Sequence, residues 1–357
     1  MVEERDIVAI SIPYSLGVAL AAFMPVAGTA AYLAAAVGLA LCAGCTVIFC
    51  RLQSGFGAVC IALFAAGIFS ACSASLGQAA AGGEWRPGSG ALEALLSTID
   101  SAGFSGEQTA ALAKALLTGQ RTELSSSTVA SFRAAGAAHI LALSGLHLGV
   151  IYGILHKSLV WAGRSRPAEL ACSILILAVA GFYVLMTGSS ASVVRAYLFI
   201  CLNELSRLLP GRRRRPLCVF AAALTVQLCI NPLIIRSAGF QLSYLAMLGI
   251  YLLFPKLDAW FPGSRLNPLR RIWSASALTI SCQIFTAPVV WWHFRSFPLY
   301  FLLTNLVALP LTEAFIICSV AVTTTTTAGC CPSPLIYLTD LCGNTLIGFL
   351  EAVASIS

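Results

Sequence analysis

Ser144 and His147 stand three residues apart in GAAHILALSGLHLGVIYGIL, an apolar run from Gly136 to Leu155 that also carries His139. On a helix, a hydroxyl and an imidazole at that spacing share a face, which is the pairing of a nucleophile with a general base. Acyl-transfer chemistry also needs a third group to orient the imidazole, and the local sequence offers none. Ala142-Leu143-Ser144-Gly145 further lacks the first glycine of a GxSG turn, so an intramembrane serine hydrolase is the weaker reading. Metal ligation fails on distance, because His139 and His147 are eight positions apart, about 12 Å along a helix axis. No CxxC or Cys/His metal spacing accompanies the vicinal Cys330 and Cys331, and we expect no metal, no cofactor and no enzyme. What is left to explain three polar side chains in nine apolar positions is interhelical bonding or a hydrated cavity.

Arg195, Gln241, Ser243, Asn305 and Glu313 interrupt other apolar runs in the same way. An arginine at the centre of a spanning helix costs about 2.5–3.5 kcal/mol on insertion scales, so Arg195 must snorkel to a helix end or face water. Glu313, three residues past Pro310, has to be protonated or hydrated and would mark the inner end of a polar path. Any one Ser, Gln, Asn or His is accounted for as a bond between helices. A cavity is the reading only for the group taken together.

The elements that position these residues are membrane helices. Of 357 residues 59% are hydrophobic and 10% charged, and the mean hydropathy of +0.89 lies outside the soluble range. The expected fold is an all-α polytopic membrane protein. At about twenty apolar residues per crossing, spans are expected near residues 7–25, 30–50, 55–76, 138–156, 168–187, 190–209, 216–231, 238–254, 273–294, 298–321 and 334–355, eleven in all. The apolar runs are continuous rather than alternating, so no spanning β-structure is required. The acidic start MVEERD and the lack of a small-residue cleavage site make the first run a retained helix rather than a signal peptide. Most of the fourteen cysteines sit inside apolar runs, where a thiol packs as a small polarisable group; the vicinal Cys330 and Cys331 carry no metal spacing.

Orientation follows from basic residues on alternate sides. Arg5, Arg51, Lys157, Arg164, Arg166, Arg207, Arg212 to Arg215, Lys256, Arg265, Arg270 and Arg271 fall on one side, and Arg86, Lys114, Arg121, Arg133, Arg236 and Arg295 on the other. The N-terminus is expected in the cytoplasm and, after an odd number of crossings, the C-terminus outside. Spans four, six, eight and ten then enter from outside. His139, Ser144, His147, Arg195, Gln241, Ser243 and Asn305 all fall in the first turns of those four spans and are expected to line an outward-facing vestibule. Arg212 to Arg215, beside Pro216, reads as a topology anchor or an anionic-lipid contact rather than a nucleic-acid site. Thr323 to Thr327 read as a helix end or inner loop, and Glu204 with Arg207 as an interfacial pair.

One substantial segment lies outside the bilayer. Residues 77–137 open with the linker GQAAAGGEWRPGSG and continue into ALEALLSTID and GEQTAALAKALLTGQ, whose apolar residues recur at helical spacing. They predict short amphipathic helices on the outer surface or capping the bundle. The chain thus divides into a three-helix membrane region (1–77), an extracytoplasmic linker with amphipathic helices (78–137) and a transmembrane core (138–357).

The run FRAAGAAHILALSGLH (132–147) resembles the signature of the ComEC-type competence proteins, with LLTGQRTELSS leading into it. GSSASVVRAYL around Arg195, NPLIIRSAGFQLSYLAMLGI around Gln241 and APVVWWHFRSFPLYFLLTNLVALPL around Asn305 resemble later blocks of that family in the same order, over roughly residues 110–320. The resemblance implies a channel that carries one strand of incoming DNA across the bacterial inner membrane, with the 77–137 segment outside. Fuller members carry an OB-like domain in that segment, which here is too short and too helical in pattern. Many also carry a metallo-β-lactamase-like domain with an HxHxDH signature, absent from this sequence. A separate DNA receptor, translocation ATPase and nuclease are therefore implied as partners, alongside the single strand and the lipid bilayer.

Three functions compete on these grounds. The first is the single-stranded DNA channel, which needs basic and aromatic side chains along its route; Arg195 and Arg295 are basic, and Trp291, Trp292 and His293 stand near the outer end of span nine, where an interfacial belt also explains them. The second is the serine hydrolase above. The third is a relative of the same fold that transports another substrate or scaffolds other membrane components.

Overall fold

The computed structural model describes residues 4–23, 55–80, 89–159, 166–208, 216–261, 267–295, 300–330 and 332–356. The expected span over 30–50, the Arg212 to Arg215 run and Cys42, Cys45 and Cys331 lie outside the described residues. Every regular element within them is helical. In chain order the helices are α1 (Glu4–Phe23), α2 (Gly55–Ala80), α3 (Ser89–Ser101), α4 (Glu107–Thr118), α5 (Ser126–Ala134), α6 (Ala138–Leu141), α7 (Gly145–Leu159) and α8 (Arg166–Met186). They continue with α9 (Ala191–Leu208), α10 (Pro216–Ile230), a 3₁₀ turn (Pro232–Arg236), α11 (Ala238–Leu252), α12 (Phe254–Asp258), α13 (Pro268–Phe294), α14 (Phe301–Thr327) and α15 (Ser333–Ala354). Among the described residues α8, α13 and α14 are long and apolar enough to cross a membrane, and shorter apolar helices run over Ser11–Phe23, Val59–Ala74, Pro216–Ile230 and Ala238–Leu252. Eleven full-length crossings are therefore more than these helices display.

The chain forms two compact units. The first comprises residues 1–85 and 201–247. Its centre is the crossing of α1 and α2, where Gly17 and Gly67 let the backbones meet. A Cβ on Gly17 would stand 2.0 Å from the Phe64 carbonyl oxygen, and one on Gly67 2.3 Å from that of Tyr14. Close approach at small residues supplies the dispersion contact that holds apolar helices together when the hydrophobic effect cannot. The Tyr14 hydroxyl donates to Ser70 Oγ at 3.3 Å, and Ser11 Oγ donates to the Ala221 carbonyl of α10 at 3.2 Å. Arg236 donates to the Ala22 carbonyl at the C-terminal end of α1, where a cation is favoured. Glu204 is fully buried and pairs with Arg207 Nη1 at 3.1 Å, the pair expected from their spacing.

The second unit comprises residues 86–200 and 248–357 and has two apolar clusters. In the first, Ile99, Leu112, Leu116 and Phe132 of the amphipathic helices pack against Phe315, Ile316, Leu346 and Leu350 of α14 and α15. Helices α3 to α5 thus form a cap packed against α14 and α15. Ser105 N–H donates to Asp340 Oδ2 at 3.0 Å, anchoring the start of α4 to α15. In the second cluster, Leu148 of α7 packs with Ile176, Ala180, Tyr183 and Val184 of α8 and Val193 and Ile200 of α9. The Tyr183 hydroxyl reaches the Leu117 carbonyl at 2.8 Å and joins α8 to the end of α4. The threonine run closes α14, its hydroxyls satisfied by carbonyls one turn back, such as Thr325 Oγ1 to Ala321 O at 2.8 Å. Leu170, Ile174, Phe182, Tyr337 and Leu341 stay exposed, an outer surface suited to acyl chains.

Candidate functional site

The single expected span over 138–156 is interrupted. Helix α5 closes in a Schellman turn in which Gly136, at φ +77°, is the left-handed residue; Ala137 N–H donates to Phe132 O at 2.7 Å and Gly136 N–H to Arg133 O at 3.0 Å. One helical turn, α6, then buries Ile140 and Leu141 in the first cluster. Ala142 is extended, with ψ 129°, and the chain restarts as α7.

Ser144 is the residue that starts α7. Its Oγ accepts the Leu146 N–H at 3.2 Å, and His147 Nδ1 accepts the Ser144 N–H at 3.3 Å. This is a capping box in which imidazole takes the place usually held by Glu or Gln. Because Nδ1 is the acceptor, a neutral ring carries its proton on Nε2. That Nε2 is buried without a hydrogen-bond partner, and His147 as a whole is only 1% exposed. The imidazole nitrogen near Ser144 engages its backbone, and the serine oxygen engages Leu146, which is cap geometry rather than the hydroxyl-to-base contact of a hydrolase.

Arg195 comes to the same helix end from α9. Its Nη2 lies 3.0 Å from where a Cβ on Gly145 would stand, with Ala196 Cβ at 3.2 Å and the Ser192 carbonyl at 3.6 Å. Glycine at the first position of α7 eases this approach, since a Cβ there would press on the guanidinium. The guanidinium also lies within electrostatic reach of Tyr251 and Cys282.

Of the eight expected site residues, Ser144, His147 and Arg195 are brought together around the start of α7. His139 is exposed on α6 and no longer shares a helix with the other two, because the chain is broken between them. Asn305 sits in the second turn of α14 with Oδ1 buried and unpartnered, next to the equally unpartnered Thr304 Oγ1. Glu313 is exposed on α14. Gln241 and Ser243 belong to the first unit, where Gln241 Nε2 donates to the Ile235 carbonyl at 2.8 Å and caps the 3₁₀ turn. At the end of α13, Trp291 and Trp292 are exposed and the Arg295 guanidinium lies 5.8 Å from the Trp292 ring centroid, a cation–π contact. Gly145, Tyr251 and Cys282 were not singled out by sequence, and only the spacing of Gly145 after the capping serine could have flagged one of them.

In the cap, Lys114 is 5% exposed and pairs with Asp100 at 2.6 Å and Glu123 at 2.7 Å. Burial pushes its ammonium down, but the two carboxylates outweigh burial and hold it above the usual lysine range. Arg121 is shifted the other way, lowered by burial and by the neighbouring charge of Arg133.

Fold and site together describe an all-helical protein with apolar helices of membrane-spanning length and one helix broken at a polar cap. Residues 116–357 match the family described as Competence protein, and the chain belongs to that family of ComEC-type competence proteins. It is 26% identical over 202 residues to ComE operon protein 3 of Bacillus subtilis (strain 168), covering 56% of this chain and 24% of that protein. It is 28% identical over 207 residues to Competence protein ComA of Neisseria gonorrhoeae, covering 56% and 28% respectively. The chain therefore spans about a quarter of the length of these curated relatives. No solved structure matches it.

Proposed function

We propose that this protein takes part in DNA uptake during competence as the inner-membrane channel for a single strand. Family membership over residues 116–357 supports the class of function. The observation that carries the channel reading is the break before α7, which sets Ser144, His147 and Arg195 at one helix end amid apolar helices. Non-helical backbone at membrane depth is tolerated where it lines a hydrated cavity or is buried in protein. In this reading the break forms part of an outward vestibule, to which Asn305 of α14 contributes. The N-terminus is cytoplasmic, the C-terminus extracytoplasmic, and the protein works without catalysis of its own. A DNA receptor, a translocation ATPase and a nuclease are the partners this reading calls for.

Deletion in a naturally competent strain, followed by complementation, tests this directly. Wild-type protein is expected to restore transformation, and Arg195→Gln to restore membrane-inserted protein but not DNA entry. Unchanged transformation in the deletion strain would contradict the proposal and favour transport of another substrate.

A further inference from the structure

We propose that the N-terminal end of α7 is a binding point for one phosphate-type oxyanion, held by His147 Nε2–H, the Arg195 guanidinium and the first-turn backbone N–H groups. The identification of that anion as a phosphodiester of the passing strand rests on the channel reading above; the anion site itself does not.

Three observations converge. First, the cap arrangement fixes the direction of the imidazole. Nδ1 is used by Ser144 N–H, so the remaining ring nitrogen is a donor, and it is buried without an acceptor. A buried donor left unmet is destabilising, and an arrangement that retains one has a use for it. Second, the charge beside the helix end has the wrong sign for the helix alone. The N-terminus of α7 carries the positive end of the helix dipole, where anions are favoured and cations are not. Yet Arg195 Nη2 stands 3.0 Å from the Cβ position of Gly145. An anion there is met by the guanidinium and the helix end at once. Third, the cap uses the N–H groups of Ser144 and Leu146 and leaves those of Gly145 and His147 without intrahelical acceptors. Charged, ring and backbone donors at one helix terminus are the donor set that binds phosphate elsewhere. A carboxylate ligand is a weaker match, since it offers fewer oxygens to donors arriving from several directions.

The test uses the full chain purified in lipid nanodiscs, with three probes: inorganic phosphate, a short single-stranded oligothymidylate, and the same oligomer with neutral methylphosphonate linkages. Binding is read by anisotropy for the oligomers and by the shift in thermal midpoint for phosphate. His147→Glu keeps an acceptor for Ser144 N–H while replacing the donor with a negative charge. It is expected to keep the ligand-free midpoint and weaken oligothymidylate and phosphate binding about tenfold or more. Arg195→Gln should weaken both similarly, and the methylphosphonate oligomer should bind the wild type no better than the charged oligomer binds either variant. His147→Gln, able to accept and donate at once, is expected to recover binding that His147→Leu loses. Wild-type binding by both His147→Glu and Arg195→Gln would overturn the site while leaving the channel reading standing. Binding of phosphate but not of oligothymidylate, lost in both variants, would uphold the anion site and remove DNA as its ligand.

Discussion

At the scale of residues, the protein separates a charge paired inside the cap from a charge brought to the start of a helix. Lys114 belongs to the first kind: its side chain is 5% exposed, whereas Asp100 and Glu123 remain 58% and 51% exposed. Removing both carboxylates leaves a buried ammonium uncompensated, so Asp100→Ala with Glu123→Ala is expected to destabilise the cap by about 3 kcal/mol. Lys114→Met leaves two carboxylates that water still solvates, and should cost roughly 1 kcal/mol or less, since screening weakens such pairs. Denaturant or thermal melts of the purified protein check the order of the two effects. The pH dependence has a definite sign. Because the folded lysine titrates above its unfolded value, its contribution is complete below about pH 10 and disappears as pH rises through the raised value. Arg195 is of the second kind, a guanidinium set at a helix start that a cation does not stabilise.

At the scale of elements, most helices were legible because hydropathy marks them. The expected spans over 55–76, 168–187, 190–209 and 238–254 correspond to α2, α8, α9 and α11, with ends within a few residues. The break between α6 and α7 was not legible. HILALSGLHL stays apolar across it, and the signal that ends one helix and starts the next is carried by Gly136 and a capping box whose acceptor is His rather than Glu or Gln. Periodicity put Ser144 and His147 at a spacing that shares a face, and the hydroxyl-to-imidazole pairing it allows, already the weaker reading, gives way to contacts with the backbone. Asp340 could not be read at all, since its contact with Ser105 links positions 235 residues apart. The α1–α2 crossing was likewise invisible, because a glycine in an apolar run marks no partner. Gly17→Leu tests it: with a Cβ position 2.0 Å from the Phe64 carbonyl, the helices must separate. Disulfide trapping between cysteines introduced on α1 and α2 is expected to fall sharply in that variant and to persist in Leu16→Ala, which alters an exposed neighbour.

At the scale of the whole molecule, many apolar side chains of the described helices are exposed, and the chain matches a competence family over two-thirds of its length. Vestibule residues assigned from topology divide between the two compact units, with Gln241 and Ser243 in the first and the rest in the second. The central claim is that a translocating strand passes the start of α7. Its most direct measurement is photo-crosslinking in competent cells, with a photoreactive amino acid at Leu143 or Leu146 and labelled DNA supplied from outside. The account predicts crosslinks to single-stranded DNA at both positions, dependent on Arg195, and none from a probe at Phe182, an exposed apolar position on α8. Equal labelling at all three positions, or DNA entry with no crosslink at Leu143 and Leu146, would contradict it.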